Sequence, residues 1–199
     1  MTKKIIIFLI CILSVLFTGC SSSKQVDKAS IAETVTVGEK DGRICYTFYL
    51  LSSSDTPVFT TVFADSFEQA CSKAKSEFIP NLSLSKLELF ITEERIADKT
   101  LKSDIKYLSE NPYFSPLMYV TLCDDNLVEK FVNDKKLPEQ VEKHIILIKN
   151  KNKDISLNSL SIFNNFFSDT NREFSVSYIN SEKEIKAETI KINAEKWEK

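Results

Sequence analysis

Cys20 is the residue whose surroundings specify a reaction most closely. It follows Leu16-Phe17-Thr18-Gly19, at the end of an apolar run from Ile5 to Phe17 that only Ser14 interrupts, and Lys3 and Lys4 precede the run. A short basic stretch, an apolar run below the ~20 residues that span a bilayer, and small residues before a break describe a signal peptide. A cysteine at that break looks like a lipobox, where a bacterial signal peptidase cuts in front of a cysteine that already carries lipid. Phe17 stands where leucine is usual. The expectation is a lipoprotein leader over residues 1–19 and an acylated Cys20. A signal anchor with an incidental cysteine is the alternative.

Elsewhere the sequence is poor in catalytic residue types. Its 199 residues hold one histidine, His144, and three glycines, Gly19, Gly38 and Gly42. Acid–base, triad and zinc sites mostly need imidazole, and phosphate-cradling loops need several glycines, so most hydrolytic and nucleotide-binding functions are disfavoured. His144 has no nucleophile motif to activate and reads as a surface or boundary residue. Glu93-Glu94 and Asp124-Asp125 could be paired carboxylates or metal ligands, yet each pair falls at a strand-to-helix junction, where acids favour the helix dipole. Both pairs are therefore expected to serve as helix caps. Lys149, Lys151 and Lys153 read as a solvated loop without the interleaved aromatics of a nucleic-acid site. Cys45, Cys71 and Cys123 remain once Cys11 leaves with the leader and Cys20 is acylated; this odd set in apolar patterns reads as buried small hydrophobes. No catalytic, cofactor-binding or metal-binding residue is assigned.

Removing the leader takes away two lysines and no acid, so the net charge moves from -2 to -4. A mildly acidic exported chain has no electrostatic reason to bind nucleic acid or to lay a basic face on anionic lipid. Its membrane contact would be the acyl chains, each buried CH2 contributing ~0.8 kcal/mol.

The elements that position these residues follow from periodicity. Residues 20–30 are polar and form a lipidated tether, and one domain spans 31–199. Ile31–Val37 and Arg43–Leu51 predict a hairpin turning over Gly38–Gly42, with Ile44, Tyr46, Phe48 and Leu50 on one face and Cys45, Thr47 and Tyr49 on the other. Val58–Phe63 is a third strand. Ser66 opens a helix with Gln69 three positions on, its stripe is Phe67, Ala70, Cys71, Ala74 and Phe78, and Pro80 stops it. A strand over Leu87–Thr92, a helix over Lys99–Glu110 with Leu101, Ile105 and Leu108 inward, and a strand over Leu117–Leu122 follow. Asp124 or Asp125 then caps a short helix through Val132. Residues 137–150 stay open, because Pro138 suits a helix start whereas Ile145–Ile148 suits a strand. Lys149–Asp154 reads as a loop, Ser156–Phe167 as a helix, and Glu173–Ile179 and Ile185–Ile192 as strands, before a charged end around Trp197. The fold class is α+β, a mixed, α/β-like sheet partly covered by helices. The 14 Phe and 6 Tyr are core residues first, with some available to a partner surface.

Several stretches in this order resemble the N-terminal domain of the Ger(x)C family, the C-subunit lipoproteins of spore germinant receptors. They are Ala64-Asp65-Ser66-Phe67-Glu68-Gln69-Ala70, the strand and helix start from Leu84 to Ala97, Leu108–Ser115 with Leu117–Leu122, the helix Leu127–Val132, and Phe174–Ile179. Departures are Ser21-Ser22-Ser23 after the cysteine, where members carry a charged cluster, and the first turn, Val37-Gly38-Glu39-Lys40-Asp41. Members continue into further domains, so the resemblance implies a truncated or divergent member. It further implies a non-enzymatic subunit without a cofactor, held on the outer face of the spore inner membrane beside integral A-type and B-type membrane subunits; any small-molecule ligand is unknown. The residues also leave open a solute-binding or accessory lipoprotein of a vegetative envelope complex and, as a third reading, an exported enzyme using Glu93, Glu94, Asp124 or Asp125.

Overall fold

A computed structural model describes residues 30–52, 58–131, 133–152, 154–168, 173–181 and 185–194. The leader, Cys20, the tether as far as Ala29, Lys153 and Trp197 lie outside these described residues.

The chain opens with β1 (Ser30–Lys40) and β2 (Arg43–Leu50), joined by Asp41 and Gly42. Both have positive φ, 54° and 71°, as a two-residue turn matched to strand twist requires. The turn is thus shorter than the glycine-to-glycine span, because Gly38–Lys40 still pair with β2. Next come β3 (Val58–Phe63), α1 (Phe67–Lys73) with a π-helical turn over Ala74–Phe78, β4 (Leu82–Ser83), β5 (Leu89–Glu93) and α2 (Glu94–Glu110). They are followed by β6 (Tyr119–Cys123), α3 (Asp125–Phe131), α4 (Leu137–Lys151), β7 (Ile155–Ser156), α5 (Ser159–Phe167), β8 (Glu173–Asn180) and β9 (Lys186–Asn193).

These strands form one mixed sheet in an α+β domain, as the alternating pattern predicts. Its path is β3-β2-β1-β5-β6-β8-β7, with β9 on β8. The inner strands β1, β5, β6 and β8 run parallel, while β2, β3 and β9 pair antiparallel with their neighbours. Because strand side chains alternate, Leu89-Phe90-Ile91 feeds both faces. Phe90 joins Val35, Tyr46 and Phe48 in the core under α1, α2 and α5, whereas Leu89 and Ile91 join Tyr49, Cys123 and Ile179 under α3 and α4.

Residues 137–151 are helical, which resolves the open segment and removes the strand alternative. Val141, Ile145 and Ile148 are buried at helical spacing, while Ile146 and Leu147 face outward. Lys149 and Lys151 accordingly end a helix rather than line a loop. The second long helix begins at Glu94, five residues before the expected start, and Ser156 belongs to β7, so α5 begins only at Ser159.

Candidate functional site

In an open parallel sheet the carboxyl ends of the strands are the usual place for a ligand. Here that edge carries Glu93, Asp124 and Asp125. Glu93 ends β5 on the same face as Leu89 and Ile91 and is 3% exposed. That alternation turns it away from the amides of α2, and it makes no capping bond. Its Oε2 instead accepts from the Glu39 backbone N–H at 3.0 Å and from Arg95 Nε and Nη2 at 3.0 and 2.7 Å. Arg95 Nη2 also donates to the Glu39 carbonyl at 2.9 Å, and its Nε lies 3.1 Å from Asp125 Oδ1. Gly38 makes room for this carboxylate, since a Cβ there would stand 2.8 Å from Glu93 Oε1. Burial raises the Glu93 pKa, against the lowering by the Glu39 amide and Arg95. The expected Glu93 cap is therefore an ion pair that joins β1, β5 and the first turns of α2 and α3. Glu94 is exposed in the first turn of α2.

Asp124 does cap its helix, Oδ1 accepting from Leu127 N–H at 3.0 Å. The same carboxylate accepts from Ser181 Oγ at 2.7 Å and from the Ser181 backbone N–H, and Lys130 Nζ donates to the Ser181 carbonyl. These bonds clip the chain just after β8 to the start of α3. The edge is well ordered by polar bonds, but each bond holds one element to another.

A third carboxylate is not among the residues singled out by sequence. Asp104 on α2 is 0% exposed, and its two oxygens accept from Tyr46 Oη at 3.2 and 2.9 Å. Oδ1 also accepts from Phe67 N–H at 2.9 Å, so α1, which Ser66 caps by accepting from Gln69 N–H at 3.3 Å, is held in addition by a side chain from another helix. Burial pushes the Asp104 pKa up to about 7, against lowering by these two donors. Its position between Leu101 and Ile105–Leu108 was the available signal, an acid on the apolar stripe. Phe67 meanwhile packs against Tyr46, Phe48, Phe90, Tyr107 and Phe114, at centroid distances of 5.1 to 6.0 Å.

Cys45, Cys71 and Cys123 are free and buried, in agreement with their reading as small hydrophobes. Burial raises all three thiol pKa values, that of Cys71 to about 12. His144 is half-buried on α4. Among the described residues no group of three or more His, Cys, Asp or Glu could hold a metal ion, and no helix is long and apolar enough to cross a membrane.

At the opposite, amino edge of the parallel strands, a cleft of about 270 Å³ opens between the β1–β2 ribbon and the α3–α4 segment. Tyr49, Leu50, Leu89 and Phe131 line it, with Glu33, Glu88, Asp134, Glu139 and Glu142 beside them and Lys135 as the single basic residue. No local pattern marks this cleft, since its walls come from five separate stretches of the chain.

The protein-family model for the spore germination protein N-terminal domain matches residues 22–181. The chain belongs to this family. Its role as a spore germination protein domain therefore lies in germination. No curated protein and no solved structure matches the chain. The germination domain match runs through β1 and β8 to Ser181, the residue that Asp124 holds, whereas β9 lies beyond it although it pairs along the whole of β8.

Proposed function

We propose that this chain is the lipid-anchored, non-enzymatic subunit of a spore germinant receptor. Residues 1–19 are the leader, acylated Cys20 and the tether to residue 30 hold the domain on the outer face of the spore inner membrane, and residues 31–199 form the domain. Integral A-type and B-type subunits are its partners. Membership of the germination family and the lipobox-like stretch before Cys20 support this reading.

The observation that carries the non-enzymatic part is the use made of the acids. Glu93, Asp104 and Asp124 each bond to backbone N–H groups of a different element. Carboxylates so engaged make a stiff scaffold and are poorly placed to move protons to a substrate. A stiff domain can couple nutrient binding to release by contacting two states of its partners with different affinity. Deleting the chain tests this: spores lacking it should respond more slowly to at least one nutrient, and an unchanged response to every nutrient would count against the role.

A second reading, a solute-binding or accessory lipoprotein of growing cells, would seat its solute in the cleft. That reading requires a saturable rise in melting temperature with a small solute.

A further inference from the structure

The amino edge of the sheet combines an apolar floor with acidic surroundings. Tyr49 and Phe131 pack with ring centroids 5.5 Å apart at the floor, beside Leu89. Five carboxylates stand around it; Glu139 is paired with Lys143 at 2.7 Å, and Lys135, the basic residue of the lining, donates to the Ser52 carbonyl at 2.8 Å, which leaves Glu33, Glu88, Asp134 and Glu142 in excess. Burial and the neighbouring Glu88 raise the pKa of Glu33, and Lys86 and Lys135 oppose this; burial, Glu88 and Glu139 raise that of Glu142. The acids thus crowd one another at a place where a cation would relieve them.

We propose that this cleft receives a lysine or arginine side chain from a protein partner at the membrane surface. Charge complementarity selects a cation, and the floor suits the methylene stem that lysine and arginine bury while their heads stay near carboxylates. Size favours a side chain over a free solute. About 270 Å³ falls below the roughly 300–1,000 Å³ of small-molecule pockets. Basic anchors seated in such pockets are common centres of binding energy. Location fits as well, since Glu33 lies three residues beyond Ser30 and the ten residues 20–29 reach at most ~35 Å from an acylated Cys20. The inference rests on the receptor-subunit reading.

The full acylated chain in phosphatidylcholine nanodiscs is titrated with Ac-Ala-Arg-Leu-Ala-NH2 and with its glutamate counterpart, binding being read by thermophoresis. The arginine peptide should bind saturably. Glu33→Gln with Glu142→Gln should weaken it at least tenfold, while Glu68→Gln with Glu77→Gln, the same charge change elsewhere, should not. No binding, equal binding of the glutamate peptide, or equal loss in the control pair would overturn the proposal. So would binding that appears only after Lys24→Gln and Lys28→Gln, because the tether itself would then be the occupant. Failure of the receptor reading shows differently, as deletion spores with normal nutrient responses whatever the peptide does.

Discussion

Asp104 on α2 accepts the Tyr46 hydroxyl at 2.9 Å and the Phe67 amide at 2.9 Å, so one buried carboxylate joins the sheet, the start of α1 and the middle of α2. Replacement by alanine strands both donors in the core. Asp104→Ala should cost about 2–4 kcal/mol in urea unfolding, since each unsatisfied buried group costs roughly 1–3 kcal/mol.

The same residue gives the domain a pH dependence of definite sign. Its pKa is about 7 in the fold against an ordinary 3.8, so the folded chain binds a proton that the unfolded chain has released between these values. Stability from this group is therefore greatest below about pH 4, falls as pH rises toward about 7, and then levels off. The slope is at most ~1.4 kcal/mol per pH unit. Asp104→Asn, which cannot ionise, should flatten that part of a urea-unfolding profile taken from pH 4 to 8; an unchanged slope would assign it to other groups.

Gly38 and Glu93 compete for one volume. Alanine at position 38 would place a Cβ 2.8 Å from Glu93 Oε1, and that carboxylate is not free to swing away because Arg95 and the Glu39 amide hold it. Gly38→Ala should cost about 1–3 kcal/mol. Combined with Glu93→Ala it should cost less than the sum of the two, and strict additivity in a double-mutant cycle would contradict the contact.

Arg95 matters as a fork rather than as a charge. Its guanidinium reaches the Glu93 carboxylate, the Glu39 carbonyl and Asp125 together, which an ammonium cannot do from one point. The Arg95 side chain is 40% exposed, so the loss on Arg95→Ala should be moderate, about 1–3 kcal/mol, and Arg95→Lys should recover little of it. Thermal unfolding of the three proteins at pH 7 measures this.

The parts of the fold legible in the sequence are those set by local periodicity. The two faces of β2, the stripe Leu101–Ile105–Leu108 and the stop after Phe78 stand as the spacing predicts, because each depends on residues within a few positions. The segment Ile145–Ile148 stays open in the sequence because a run of four apolar residues suits either element, and Ile146 and Leu147 are apolar although they face outward. The place of Glu93 at a junction predicts a cap, but strand alternation, with Gly38 opposite, decides where its side chain goes. Asp104 shows locally only as an acid on the apolar stripe of α2; its bond to Tyr46, like the approach of Glu33 to Glu88 at the cleft, joins distant segments that no local pattern connects.

Timing and anchor meet in one gel. Vegetative membranes and purified spore inner membranes are immunoblotted for the wild type and for Cys20→Ala. A subunit of a germinant receptor held by lipid gives a band confined to spore membranes and lost from them in the variant. A strong band in growing cells with little in spores contradicts that role, and a spore-membrane band unchanged in Cys20→Ala contradicts the lipid anchor.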